Sequence, residues 1–136
     1  MSPQERQWVQ SARVARLSTV RPDGSPHIVP ITFALFGDTV VTAVDDKPKR
    51  TYDLQRLRNL AERPAASLLV DHYDDDWSTL WWVRLDGDAQ VLYDEPRRRD
   101  ALAPLIAKYE QYVELAPSGP VIVLTVRLTT SWAATR

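Results

Sequence analysis

Lys47, Lys49 and Arg50 cluster around Pro48, and Arg56 and Arg58 repeat the charge a few residues later. The 136-residue chain has 17 Lys and Arg against 18 Asp and Glu, a net charge of −1, so any attraction for an anion has to be local. Pro48 fixes φ and stiffens the loop, and Thr51 or Asp53 can cap the helix that follows. Unpaired backbone N–H groups and side-chain cations then converge on one spot, which is how a phosphate is held. The plainer reading of the same run is a solvated, charged helix entrance.

Other chemistries find less support. Asp74, Asp75 and Asp76 form an acidic run, but it has neither the glycine nor the distant glutamate of a calcium loop, and no metal site is expected. The absence of cysteine excludes disulfides, thiolate catalysis and Cys-based metal sites. The two histidines belong to no nucleophile motif. His27, beside a turn, reads as a surface strand residue; His72, beside a strand end and the acidic loop, is the better placed for a proton donor. No side chain is assigned as catalytic. A nucleic-acid partner would need a basic face interleaved with aromatics, which is missing.

The elements that must position the basic cluster follow from pattern. Ser2, Pro3 and Glu5 spell a capping box with Pro at the first helical position, so a helix is expected to about Ala12. Val14 to Val20 reads as a strand, and Arg21 to Ser25 as a hairpin turn. His27 to Leu35 is the expected return strand, with Pro30 placing it at an edge. Thr39 to Val44 would complete a three-stranded meander, ending where the basic loop begins. Leu54, Leu57 and either Leu60 or Ala61 recur at helical spacing, which sets Arg56 and Asn59 on a neighbouring face and Arg58 further round.

Ala65 to Val70 is a short buried-strand run, and Trp77 to Tyr93 reads as one long strand with Gly87 at a bend or bulge. In it Trp81, Val83 and Leu85 point one way, Trp82 and Arg84 the other. A chain of this size has difficulty covering both faces, so one face is expected to meet a second subunit or a flat ligand. Leu102, Leu105, Ile106 and Tyr109 form an amphipathic helical stripe. A loop through Pro117, Gly119 and Pro120 then leads to a strand from Val121 to Leu128, continued by Thr129 to Ala133 after a kink. About six strands and three short helices, without strand and helix alternation, predict a single α+β domain over 1–136, built as an antiparallel barrel. No apolar run approaches the roughly 20 residues that span a bilayer, and the first residues lack the order of a signal peptide, so a cytoplasmic protein is expected.

Leu17 to His27 followed by Val29-Pro30-Ile31-Thr32-Phe33 resembles the opening hairpin of the pyridoxamine 5'-phosphate oxidase-like split-barrel family. Lys47 to Arg50, Leu57 to Leu60, Pro64 with Ser67 to Asp71, and Trp77 are similar to its actinobacterial branch associated with the deazaflavin coenzyme F420. The resemblance covers nearly the whole chain and implies an antiparallel split β-barrel, a homodimer, and cofactor sites at the subunit interface. It places the cofactor's phosphate and acidic tail near Lys47, Lys49, Arg56 and Asn59. Pro30, Ile31 and Thr32, with Ala43 and Val44, would border the ring, and Trp77 or Trp82 would close it from either chain. The implied activity is hydride transfer between F420 and a small, planar or unsaturated substrate, chosen by the loops Asp71 to Leu80 and Tyr109 to Gly119. FMN is the alternative cofactor, disfavoured because Val40 to Ala43 offers no cation and the Ser-x-Lys segment of the family's flavin oxidases is absent. A non-catalytic protein that binds or stores flavin, F420 or haem is the alternative function.

Overall fold

Two hydrogen bonds start the chain. The Ser2 hydroxyl accepts from the Glu5 N–H at 3.1 Å and the Glu5 carboxylate accepts from the Ser2 N–H at 2.6 Å, which closes the capping box at the head of α1 (Pro3–Ser11). The structure is a computed structural model and describes residues 1–44 and 54–135. β1 (Ala15–Val20) and β2 (Pro26–Ile31) form the expected hairpin, with Gly24 at φ +88° and the Asp23 carboxylate accepting from the Ser25 N–H.

The expected single strand from His27 to Leu35 is in fact two. β2 stops at Ile31, and β3 (Ala34–Phe36) pairs with β4 (Thr39–Ala43), which pairs in turn with β7 (Val121–Ala133) and not with β2. The remaining strands are β5 (Ala65–His72) and β6 (Trp81–Leu92), and the sheet order is β2-β1-β5-β6-β7-β4-β3. β2 and β3 are therefore consecutive in sequence and lie at opposite edges of one antiparallel sheet, which curls into a half-barrel instead of forming a meander. The chain crosses at Thr32 and Phe33. Their freed backbone groups find side-chain partners: the Thr32 carbonyl accepts from the Thr42 hydroxyl at 2.7 Å, and the Phe33 N–H donates to the Tyr109 hydroxyl at 3.2 Å.

α2 (Gln55–Glu62) begins after Leu54, which offers no side-chain cap; the expected caps Thr51 and Asp53 lie outside the described residues. Trp77 to Thr79 is a 3-10 turn capped by Asp76, so the long strand starts at Trp81 rather than Trp77. α3 (Arg97–Lys108) carries the apolar stripe, and α4 (Glu110–Glu114) forms where a loop was expected. Described residues thus hold seven strands and four short helices, one more of each than the sequence pattern suggested. α2 covers the core inside the curl with Leu57 and Leu60, beside Leu17, Phe33 and Leu68. α3 packs Leu102 and Leu105 over Val41 and Val121 in a smaller cluster.

Gly87 lies where β6 meets a bulge in β7: Asp86 pairs with Leu128 and Gly87 with Val126, leaving Arg127 as the extra residue. A Cβ at Gly87 would fall 2.0 Å from the Thr125 carbonyl oxygen, and a backbone atom has little room to retreat. Gly87→Ala is expected to destabilise the fold by about 3 kcal/mol, the upper end for overpacking. Urea unfolding of parent and variant checks this, and an unchanged midpoint would mean that the bulge tolerates a side chain.

Candidate functional site

The crossing from β2 to β3 leaves a cavity of about 260 Å³. Pro30, Ile31 and Thr32 at the end of β2 line it on one side, Thr42 and Ala43 at the end of β4 on another, and Arg56 from the first turn of α2 reaches its rim. Five of the residues named from sequence, Pro30, Ile31, Thr32, Ala43 and Arg56, therefore meet in one place. Arg56 is partly buried, and desolvation lowers its pKa from the ordinary guanidinium value while leaving it a cation. Among the described residues it has no ion-pair or hydrogen-bond partner.

Other expected positions fall elsewhere. Val44 is fully buried in the core and does not line this cavity. Asn59 is also fully buried: its amide donates to the Thr19 hydroxyl at 2.9 Å and its carbonyl accepts from Gln55 at 2.7 Å. It ties α2 to β1, so its polar atoms are not available to a ligand, contrary to the expected role. Lys47 and Lys49 lie outside the described residues. Arg58 is exposed and donates to Gln55 at 2.7 Å, consistent with a place away from the cavity.

Trp77 and Trp82 are separate from this cavity within one chain. Trp77 is 68% exposed on its 3-10 turn, and Trp82 lies on the outer face of the sheet. That face holds an aromatic depression of about 460 Å³ to which Ile28, Leu69, Trp82 and Trp132 contribute, with His72 and Trp81 at the paired strand ends bordering it. Trp81 turns inward as the alternation requires and stacks on Trp8 with ring centroids 4.7 Å apart. His72 is exposed and stacks on Trp81 at 6.1 Å, far from the arginine rim. Asp76 caps the 3-10 turn, and Asp74 accepts from the Asp76 N–H, so the acidic run organises its own backbone.

Two residues were underrated from sequence. His27 is paired across the hairpin with the buried Thr19, so it faces inward and is not the surface residue expected; its Nδ1 is buried without a partner among the described residues. Burial, then Arg21, then Arg56 lower its pKa. Tyr112 on α4 lines the cavity and shares a 2.8 Å hydrogen bond with Thr32. It falls in the expected substrate loop Tyr109 to Gly119, but nothing in the spacing singles out this hydroxyl, because the sequence pattern carries no signature of the short helix that holds it.

A sheet whose consecutive strands β2 and β3 form its two edges is a split β-barrel, the class expected from the opening hairpin. The chain belongs to the pyridoxamine 5'-phosphate oxidase family, which it matches over residues 1–133. A conserved hypothetical protein of Mycobacterium tuberculosis shares the fold with a TM-score of 0.79 at 22% identity, over 98% of this chain and 86% of the other. A heme-binding protein of Mycobacterium smegmatis gives 0.71 at 23%, over 98% and 59%. A FAD-binding protein of Mesorhizobium loti gives 0.70 at 15%, over 96% and 94%. At such identities the likeness is one of fold. No curated protein matches the sequence.

Beside the crossing, the Lys108 ammonium is buried without a hydrogen-bond partner among the described residues, 3.9 Å from the centre of the Phe33 ring. Burial, with Arg13 nearby, lowers its pKa from 10.5 to about 8, while the ring face offsets part of that cost by attracting the cation. For a base with a depressed folded pKa, the unfolded chain binds the extra proton between pH 8 and 10.5, so this group's contribution to stability rises with pH across that window. Lys108→Met keeps the chain length and removes the charge. It is expected to melt higher than the parent at pH 7, with the difference shrinking towards pH 10; a constant difference in thermal melts would show that the ammonium is not held at a cost.

Proposed function

We propose that the protein is an oxidoreductase of this family that uses the deazaflavin coenzyme F420 and transfers hydride between it and a small, planar or unsaturated organic substrate. The observation that carries the reading is the convergence of Pro30, Ile31, Thr32, Ala43 and Arg56 on one cavity, with Arg56 lacking a partner among the described residues. An apolar wall beside a partly desolvated guanidinium fits a flat ring with an anionic tail. Ala43 and Arg56, which line the cavity, flank in sequence the segment that carries Lys47 and Lys49. These lysines would hold the phosphate and carboxylates with Arg56.

When bound, the reduced coenzyme supplies the hydride from its ring carbon. The chain's own residues would then have binding and orienting roles: Pro30 and Ile31 would pack against the ring, Thr32 and Tyr112 would offer hydroxyls at its edge, and Arg56 would hold the tail. FMN remains the alternative cofactor, and the lack of a cation in Val40 to Ala43 weighs against it.

A second copy of the chain completes the site in this reading. The cavity of about 260 Å³ is below the range of about 300–1,000 Å³ typical of complete small-molecule sites. The outer sheet face exposes Ile28 by 61% and Trp132 by 46% beside Trp82, an apolar surface suited to self-association. Ile28 in that face and Pro30 in the cavity wall are two residues apart on the edge strand β2, so docking there would bring a partner close to the cavity. Trp77 or Trp82 would then reach the ring from the second chain.

Titration with F420 and with FMN, followed by tryptophan fluorescence, tests the cofactor. Arg56→Ala is expected to weaken F420 binding at least about tenfold, the effect of leaving one charged group unpaired, without lowering the melting temperature of the free protein. Lys49→Ala should act in the same direction, Arg58→Ala should matter less, and the parent's affinity should fall as salt rises. Equal binding by Arg56→Ala and the parent, or a preference for FMN, would overturn the assignment. A Soret band on the purified protein would point to haem.

Light scattering tests the assembly. The parent is expected to have the mass of two chains, and Ile28→Asp with Trp82→Asp the mass of one, while circular dichroism remains unchanged. A monomeric parent at micromolar concentration would overturn the shared site.

A further inference from the structure

A second cavity of about 380 Å³ opens on the other side of the Thr32 and Tyr112 hydroxyl pair. Both residues line both cavities, so their 2.8 Å hydrogen bond is a partition between two compartments. The far compartment is completed by Arg13, Tyr109 and Gln111. Its geometry is held from three elements. The Tyr109 hydroxyl donates to the Arg13 carbonyl at 2.8 Å and receives the Phe33 N–H, and the Tyr109 and Tyr112 rings meet edge to face at 5.7 Å.

The Arg13 guanidinium is fixed by both terminal nitrogens donating to the Lys108 carbonyl, each at 3.3 Å, and by the Tyr109 ring face at 4.6 Å. A guanidinium has about five N–H donors in a rigid fork, so donors remain for a second acceptor. Arg13 makes no ion pair with a carboxylate among the described residues, and no acidic side chain among them lines either compartment. Glu110 and Glu114 on α4 flank Gln111 in sequence but do not enter the lining. The Lys108 ammonium, buried behind Tyr109 at 5.5 Å from its ring, adds positive potential.

We propose that this compartment is the substrate subsite and takes a small aromatic or unsaturated carboxylate, with the carboxylate on Arg13 and Gln111 and the reducible part of the molecule directed to the Tyr112 and Thr32 hydroxyls. The reducible end then faces the compartment assigned to the coenzyme ring, so the inference rests on the function proposed above and adds the charge and class of the substrate. Its volume suits a molecule of one or two rings. Gln111 supplies an amide donor, and the tyrosine faces supply flat apolar contact.

Binding of benzoate and of benzamide to the full chain without coenzyme tests the subsite, by calorimetry and by the chemical shifts of the Tyr112 ring. Benzoate is expected to bind and shift those signals, with benzamide at least about tenfold weaker. Arg13→Gln is expected to lose about tenfold of the benzoate affinity and Arg13→Lys less, at unchanged melting temperature, because the side chain is exposed. Tyr112→Phe should weaken benzoate less than Arg13→Gln. Arg56→Ala should leave benzoate binding within about twofold, since that charge lies in the other compartment. No binding of benzoate by the parent, equal binding of benzamide, or a loss at Arg56→Ala instead of Arg13→Gln overturns the subsite. A parent that binds benzoate through Arg13 but not F420 supports the subsite and removes the coenzyme assignment alone.

Discussion

Two backbone groups at Thr32 and Phe33 leave the ladder, and everything near the site depends on how they are satisfied. A chain cannot pass from one edge of a sheet to the other without freeing such groups, and buried ones left unpaired cost about 1–3 kcal/mol each. Thr42 on β4 takes the Thr32 carbonyl and Tyr109 at the end of α3 takes the Phe33 N–H. The same tyrosine hydroxyl donates to the Arg13 carbonyl, so the link between α1 and β1, the crossing, and α3 are pinned to one atom. Both compartments lie against this knot.

Three cations stand around the crossing without carboxylate partners among the described residues: Arg13, Arg56 and Lys108. Arg13 is exposed, but Arg56 and Lys108 are partly desolvated, which a fold selected for stability alone would avoid because such charge is costly. Lys108 is stabilised by the Phe33 ring and Arg13 by the Tyr109 ring, whereas Arg56 meets neither a ring nor a carboxylate among the described residues. Local breaches of ordinary design rules concentrate where a protein binds something, and here both, Arg56 and Lys108, fall in the neighbourhood of Thr32 and Phe33.

β6 shows how a small domain with a curled sheet handles two faces. Trp81, Val83 and Leu85 fill the inside of the curl, and Trp82 and Arg84 look outward over the aromatic depression. α3 covers the outer side of β4 and β7, but the outer side of β1, β5 and β6 has no helix over it among the described residues. The half-barrel is closed on one side by its own helices and left with an apolar surface on the other.

The sequence by itself determined the local elements, because they rest on short-range rules: the capping box at Ser2 and Glu5, the glycine turn at Gly24, the inward and outward alternation from Trp81 to Leu85, and the bulge at Gly87. It also marked Pro30, Ile31, Thr32, Ala43 and Arg56, through the edge proline, the basic run and the family resemblance. Only the tertiary structure decided which of the charged and polar neighbours are usable. Asn59 and Arg56 lie three residues apart on one helix, but Asn59 meets Thr19 and is buried while Arg56 clears the core and reaches the cavity. The division of His27 to Leu35 into two strands, the inward turn of His27 and the partnership of Thr32 with Tyr112 were equally hidden. Each depends on contact between residues as many as 80 positions apart. Periodicity within a window carries no information about which distant element will supply the missing hydrogen bond.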